Sequence, residues 1–498
     1  MSKRAFPLLA VAAVSVLSGC AGNPLRSYDS ELKETVVLVK AGAVNQALAG
    51  LEKNNASMFS GKSGDKDAKP STDDKDILYF FEKGELLNLQ SKYSEGRDTW
   101  LKADEIVRTW EDEYRTNPTK LFGDIGSYLI SDRVRRYDGQ DYEKVALSTR
   151  LMLNHIMLGD PDNARVEMKK TVEREKLIES FREKEYEKLK EEGEEKKLKT
   201  DTAQLSDKGY PMAELDTPEV RNLKNGYQNA FAHYLAGYFF EVTGEYSLAE
   251  PGYRNALALQ PKSKLIGDSL GKVGRRKPGA NESDVLFVVE SGFAPSWKSV
   301  TIPLPIPTGK SFLVTPLSFP IVKSESPGFV PPNLLAAGKP LPVETLVNVD
   351  TMARRLLKDQ LPGILLRTTV RAIAKSVVQD QAQKKAGLVG GLVATVATVA
   401  TEQADERSWR TLPERISVAR AILPYGKLPL EFETGKGVYR TEINIGNRFT
   451  VVPIRLTGGA VMVGEQNIVG SMPLATETPL RPAKVKAKVA VKKPVAAN

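Results

Sequence analysis

The chain has 498 residues, of which 41% are hydrophobic and 27% charged, and it contains a single cysteine. This length allows two or three domains with hydrophobic cores, and the apolar content is ordinary for a globular protein. One cysteine excludes an internal disulfide framework and a cysteine cluster that could hold zinc.

The net charge of +9 is unevenly distributed. From Cys20 to Ser283 there are 42 basic and 46 acidic residues, whereas from Asp284 to the end there are 27 and 16. A basic half could attract anionic lipid, lipopolysaccharide, peptidoglycan or an acidic partner, and ordinary solubility charge is the alternative interpretation.

Residues 1–19 have the layout of a secretory signal peptide, with Lys3 and Arg4 before the apolar run FPLLAVAAVSVLSG. The following sequence, Leu17-Ser18-Gly19-Cys20, resembles the bacterial lipobox. That resemblance implies a diacylglyceryl group on the Cys20 sulfur, cleavage before Cys20 and acylation of the new amino end. The alternative is a free cysteine in a plain signal peptide.

Several acyl chains would anchor the mature protein firmly in a membrane. Residue 21 is alanine rather than aspartate, and the sorting rule that comes with the lipobox resemblance then favours the outer membrane. We therefore expect a lipid-anchored protein on the periplasmic side of the outer membrane, where nucleic acid is not an expected partner.

The first half, residues 20–262, is predicted to be an irregular helical array. Its clearest unit is NAFAHYLAGYFFEVTGEYSLAEPGYRNALALQP at 229–261, which resembles a tetratricopeptide repeat (TPR) in the positions of Gly237, Gly244 and Pro261. His233 and Ala236 depart from the residues that this repeat prefers. Weaker copies of the spacing occur around Gly42, Gly84 and Gly159.

Residues 165–199 are almost entirely charged, which predicts a helix that either binds a partner or simply extends into solvent. Residues 263–283 have the Gly, Ser and charge content of a linker.

Residues 284–472 are predicted to form a β-rich α+β domain, because β-branched strand segments flank a helical passage from Thr351 to about Glu402 that breaks near Pro362. The apolar run AGLVGGLVATVATVA at 386–400 is too short to span a bilayer. Three interpretations of this run stay open: contact with a membrane surface, packing within an oligomer, and burial against the sheet. Residues 473–498 are predicted to be a disordered basic tail, which either binds an acidic surface or is passive.

Sequence motifs for catalysis and for cofactors are absent. The chain has no HExxH zinc motif and no G-x-S-x-G serine elbow, so we expect no metal and no cofactor. A carboxylate pair of the kind that glycosidases use is not singled out by any pattern.

Two stretches, EQADERSWRTLPERISVARAILPYG at 402–426 and YDGQDYEKVALSTRLMLNHIMLGDPDNARVEMKK at 137–170, resemble an uncharacterised family of bacterial lipoproteins with TPR-like N-terminal halves. The resemblance implies the location and the architecture, and it implies no catalytic residue.

Within the first stretch, Arg407, Trp409 and Arg410 are candidate partner-binding residues, because tryptophan and arginine dominate binding hot spots. The alternative is a fixed corner that joins helix to sheet, with arginine stacked on the Trp409 ring.

The sequence therefore predicts a non-enzymatic scaffold or adaptor in cell-envelope assembly, bound to the membrane through its lipid and to envelope proteins, among which peptidoglycan-related ones are candidates. The alternative is a glycan-acting envelope enzyme with a carboxylate pair in the C-terminal domain. The sequence leaves the oligomeric state open.

Replacing the single thiol tests the anchor. Cys20→Ala is expected to abolish labelling by a fatty-acid analogue in cells, because no other side chain can form the thioether, whereas Ser18→Ala keeps a small residue before the cysteine and should stay labelled. Normal labelling of Cys20→Ala at the mature size would refute the lipobox interpretation.

Overall fold

The computed structural model describes residues 28–58, 75–116, 137–195, 202–308, 311–373, 404–465 and 467–468. A helical region precedes a β-rich mixed region, which confirms the predicted α+β class and the order of its parts. The helices before the first strand are α1 (Tyr28–Lys40), α2 (Val44–Met58), α3 (Ile77–Leu89), α4 (Tyr93–Thr116), α5 (Asp141–Met157), α6 (Pro161–Glu195), α7 (Ala203–Ser206), α8 (Met212–Leu215), α9 (Pro218–Asn222), α10 (Ala230–Val242), α11 (Tyr246–Leu259) and α12 (Lys264–Gly271).

The longer helices pair as hairpins: α1 with α2, α3 with α4, α5 with α6, and α10 with α11. Small residues permit the close approach within two of these pairs. A Cβ on Gly84 of α3 would lie 2.2 Å from the indole nitrogen of Trp100 in α4. The weaker repeats around Gly42, Gly84 and Gly159 therefore correspond to real helix hairpins.

The predicted repeat at 229–261 is the hairpin of α10 and α11. Asn229 caps α10 by accepting a hydrogen bond from the backbone of Ala232 at 3.0 Å. A Cβ on Gly237 would lie 2.7 Å from the Tyr253 ring, and a Cβ on Gly252 would lie 2.7 Å from the Gly237 nitrogen. The tightest approach therefore runs through Gly237, Gly252 and Tyr253.

The β-rich part contains β1 (Glu282–Ser291), β2 (Ser296–Thr308), β3 (Ser311–Lys323), β4 (Asn333–Ala336), β5 (Lys339–Pro342), β6 (Glu344–Asn348), β7 (Arg415–Pro424), β8 (Gly426–Thr434), β9 (Gly437–Ile445), β10 (Phe449–Leu456), β11 (Val461–Val463) and β12 (Asn467–Ile468). The central sheet has the order β11-β10-β1-β7-β6, with β12 also on β10. Strands β1 and β10 are parallel, and the other pairs are antiparallel. A second sheet has the order β5-β4-β8-β9, and β2 and β3 form a separate hairpin.

One helix, α13, spans residues 349–373 between β6 and β7. Asn348 begins it by accepting a hydrogen bond from the backbone nitrogen of Thr351 at 3.2 Å. The predicted break near Pro362 is wrong, because the helix continues through that residue.

The central sheet is buried on both faces. Along β1, Leu286 and Val288 pack into the core shared with the helices, whereas Val285, Phe287 and Val289 pack against the second sheet. Successive residues of a strand point to opposite faces, so one continuous apolar strand can serve two cores.

The predicted linker at 263–283 is folded over much of its length. Ser263 caps α12, and Glu344 of β6 accepts hydrogen bonds from the Ser263 hydroxyl at 2.6 Å and the Leu265 nitrogen at 2.8 Å. Ile266 is fully buried. This segment packs on the sheet rather than separating two domains.

The helical and β-rich parts also share one hydrophobic cluster and a buried charge cluster. Arg420 of β7 binds Asp284 of β1 at 2.6 and 2.9 Å, and it reaches α10 and α11 by donating to Glu241 at 2.8 Å and to Tyr253 at 2.7 Å. The two parts therefore form one packed unit, which corrects the expectation of separate domains on either side of a linker.

Several predicted features lie outside the described residues: the signal peptide 1–19 with Cys20, the apolar run 386–400 and the basic tail 473–498. Within the described ranges, no helix is long and apolar enough to cross a membrane.

Filling the helix contact at Gly84 should destabilise the fold. Gly84→Ala places a methyl group against Trp100 and is expected to cost about 1–3 kcal/mol of unfolding free energy, measured by urea titration. Gly50→Ala is the control, because a Cβ on Gly50 of α2 meets nothing within 4 Å. It should be neutral or stabilise by up to about 1 kcal/mol through helix propensity. Equal effects of the two substitutions would contradict the packing described here.

Candidate functional site

A deep concave feature lies between the C-terminal half of α6 and helix α13. Two glycines permit the contacts that form it. A Cβ on Gly363 of α13 would lie 2.6 Å from Leu189 of α6, and a Cβ on Gly226 would lie 2.6 Å from the backbone nitrogen of Leu356. We call this feature the α6–α13 cleft.

An ion-pair cluster links the two walls of the cleft. Arg182 donates to Asp141 of α5 at 2.6 Å and to Glu185 at 2.5 Å, and Arg367 of α13 donates to the other oxygen of Glu185 at 3.3 Å. Burial alone would raise the pKa of Glu185, but Arg182 and Arg367 outweigh it and hold that pKa below its ordinary value. Glu185 is therefore an ionised structural group rather than a proton donor.

The cleft comprises two cavities, of about 460 and 800 Å³, which meet at this cluster. Trp110, Phe181 and Trp297 line the smaller cavity together with Lys144, whose ammonium lies 3.9 Å from the centre of the Trp110 ring. Burial lowers the pKa of Lys144, against the opposing effect of Asp141 at 3.3 Å.

The larger cavity combines an apolar floor with a charged rim. Leu189, Tyr227, Leu356 and Pro362 supply apolar surface. Tyr186 also lines this cavity, and it is 64% exposed. An exposed aromatic beside a concave apolar surface is typical of binding sites for proteins or small molecules.

The structure places the predicted site residues elsewhere. Trp409 is fully buried. Its ring stacks on Phe81 of α3 with centroids 4.4 Å apart, and it meets the Trp100 ring edge-on at 5.9 Å. A partner cannot touch this ring in the described conformation, so the partner hot spot is corrected to the fixed-corner alternative.

Two helix carboxylates hold the backbone of that corner. Glu143 of α5 accepts from the Trp409 nitrogen at 2.7 Å, and Glu82 of α3 accepts from the nitrogens of Arg410 at 2.7 Å and Thr411 at 3.1 Å. The Thr411 hydroxyl also donates to Glu82 at 2.5 Å. Burial raises the pKa values of Glu82 and Glu143 to about 7, against the lowering effect of these hydrogen bonds.

The two arginines of the predicted site are also engaged within the chain. Arg410 is buried and donates to Glu325 at 2.7 Å. Arg407 forms a two-pronged pair with Asp405 at 2.8 and 2.7 Å and lies 5.1 Å from the centre of the Tyr137 ring. The expected stacking of an arginine on Trp409 is not what the structure shows. Phe81 stacks on Trp409 instead, and Arg407 lies over the ring of Tyr137.

Both histidines of the chain interact with a carboxylate. His155 lies 3.1 Å from Asp160, and His233 lies 2.9 Å from Glu175. Within the residues that the structure describes, no group of three or more His, Cys, Asp and Glu side chains is placed to hold a metal ion.

The sequence interpretation missed Glu185, Leu189, Gly363 and Arg367. A weak signal for α6 was present, since residues 182, 185, 189 and 193 recur every three or four positions on one side of the charged helix. Nothing in the sequence indicated that α13 is the element that this side faces.

No protein-family model matches the sequence, and no curated protein matches it significantly. The resemblance to a family of bacterial lipoproteins therefore remains a prediction.

The carboxylate that holds the corner can be tested directly. Glu82→Gln keeps the shape but turns an amide NH₂ toward backbone donors, and it is expected to lower the unfolding free energy by about 1–3 kcal/mol. Glu105→Gln, at an exposed position of α4, is the control and should change stability by less than about 0.5 kcal/mol. Chemical denaturation of both variants at pH 7.5 measures the difference, and a neutral Glu82→Gln would show that these hydrogen bonds do not hold the corner.

Proposed function

We propose that this protein is a periplasm-facing, outer-membrane lipoprotein that acts as a scaffold or adaptor in cell-envelope assembly and binds a partner protein in the α6–α13 cleft. The observation that carries the proposal is the larger cavity. Its apolar floor, exposed Tyr186 and charged rim are the surface chemistry of protein recognition.

The shape of the cleft fits a peptide segment. One wall is a long helix and the other is α13, and a groove between two helices is a common receptor for a helical or extended segment. The two walls are held together by the pairs of Arg182, Glu185 and Arg367, so little reorganisation is needed on binding.

The glycan-acting enzyme is less well supported. A glycosidase needs a carboxylic acid that retains its proton near neutral pH and faces the substrate. Glu185 in the cleft is held ionised. In the β-rich part, Asp284 is paired with Arg420, Glu290 with Arg150, and Glu414 with Arg415 and the Gly328 nitrogen.

Other carboxylates have a pKa of about 7, but they are not placed to act as the general acid of a glycosidase. Glu82 and Glu143 are buried at the corner and accept backbone hydrogen bonds, so no substrate reaches them in this conformation. Glu85 is buried, pairs with Arg150 and lines a cavity of about 60 Å³, which is too small for a sugar ring. Binding without catalysis is the function that these environments favour.

The location rests on the sequence alone. The signal peptide and the lipobox at Cys20 support lipid anchoring, and Ala21 supports the outer membrane. A lipid-anchored scaffold would hold its cleft near the membrane, where envelope proteins, including peptidoglycan-related ones, are available as partners.

Site-specific photo-crosslinking in cells tests the cleft. A photo-reactive phenylalanine analogue in place of Tyr186 is expected to capture a discrete partner protein, and adding Leu189→Glu should abolish the adduct by charging the apolar floor. The matched control places the analogue at Val166, which is 53% exposed on the same helix but outside the cleft.

Equal adducts from positions 166 and 186, or an adduct from 186 that survives Leu189→Glu, would contradict binding in the cleft. Circular dichroism of the Leu189→Glu variant establishes that the fold is retained.

A further inference from the structure

The outer wall of the larger cavity carries unbalanced negative charge. Along α6, the lining residues Glu179, Glu183, Tyr186, Lys190 and Glu194 recur every three or four positions and so form one stripe. Among the residues that the structure describes, Glu179, Glu183 and Glu194 have no ion-pair partner. The ion pairs that Arg182 and Arg367 form with Asp141 and Glu185 balance in charge, so the rim sets the net charge of the cavity.

Tyr227, on the apolar floor, lies in the negative field of these carboxylates. Burial raises its pKa above the ordinary value, and the carboxylates of Glu179, Asp141, Glu175 and Glu183 raise it further. An occupant that brings positive charge would be attracted to this end of the cleft.

A segment of suitable chemistry exists in the same chain, outside the described residues. Residues 481–493, RPAKVKAKVAVKK, contain six basic and no acidic side chains. When such a segment is extended, Lys484, Lys486 and Lys488 point to one side and Val485, Ala487 and Val489 to the other. That alternation matches an apolar floor beside an acidic rim.

The connection between the last described strand and this segment can extend over a distance close to the length of α6. The last described strand, β12, ends at Ile468, and the thirteen residues from there to Arg481 extend up to about 45 Å. Helix α6, for comparison, is about 52 Å long. A tethered segment also has an effective concentration of about millimolar, so weak binding suffices.

We propose that residues 481–493 of the chain's own tail bind in the larger cavity of the α6–α13 cleft, with the valines on the floor and the lysines on Glu179, Glu183 and Glu194. The tail would then compete with the partner for one site. This inference rests on the proposed function of the cleft as a binding site.

Peptide binding tests the inference. A fluorescent peptide of residues 480–494 is titrated into the soluble mature chain and into the same chain ending at residue 470. We expect binding to the shortened chain, at least tenfold weaker binding to the full chain because its own tail competes, and weakening by added salt.

Charge reversal locates the site. Glu179→Lys with Glu183→Lys in the shortened chain should weaken peptide binding at least tenfold. The matched control, Glu187→Lys with Glu191→Lys, has the same spacing on α6 at exposed positions outside the lining of the cleft, and it should bind nearly as tightly as the unaltered shortened chain. Equal loss in both pairs, no peptide binding, or equal binding to full and shortened chains would overturn the inference.

The crosslink from position 186 separates this inference from the proposed function. If position 186 captures a partner protein but the peptide of residues 480–494 does not bind, the tail inference is wrong and the partner site stands. Capture of the chain's own tail alone, lost in the shortened chain, would support the tail inference and remove the proposed partner site.

Discussion

The rest of the structure depends on one kind of interaction between its two parts. Carboxylates that are buried on the helical side each bond to a group of the β-rich part. Glu82 and Glu143 hold the backbone from Trp409 to Thr411, and Glu241 meets Arg420. Removing one partner of a buried ion pair such as Glu241–Arg420 costs about 3–5 kcal/mol, because the other charge stays buried and uncompensated. Separating the helices from the sheet would break the Glu241–Arg420 ion pair and the hydrogen bonds of Glu82 and Glu143, and this explains why the two parts share one core despite their different secondary structures.

Helix α5 connects this junction to the cleft. All of its residues are buried. Glu143 faces the corner, and Arg150 bridges Glu85 of α3 and Glu290 of β1. At its first turn, Asp141 holds Arg182, which orients Glu185 toward Arg367 of α13. The position of the cleft walls is thus fixed by the same helix that fastens the two parts, so a partner would meet a preorganised surface.

Local patterns in the sequence predicted most of the elements. Glycine, alanine and aromatic spacing predicted the hairpin of α10 and α11, and β-branched runs predicted strands such as β1 and β7. The long-range partners were not predictable, because a charged residue looks the same in sequence whether it is solvated or paired across the fold. Arg420 lies within a strand pattern, but nothing local indicates that it is buried against Glu241. For the same reason Trp409 was interpreted as a binding residue, and the packed α12 as part of a linker.

Peptide-resolved hydrogen exchange of wild-type residues 21–498 across a urea series tests the central claim most directly, since it reports the opening free energy of each element. The account predicts that the most protected amides of α10 and those of β1 and β7 merge into one global unfolding reaction with the same free energy and the same urea dependence. Exchange of α10 through a separate opening of lower free energy, while β1 and β7 stay protected, would contradict the claim that buried carboxylates join the helices and the sheet into one cooperative unit.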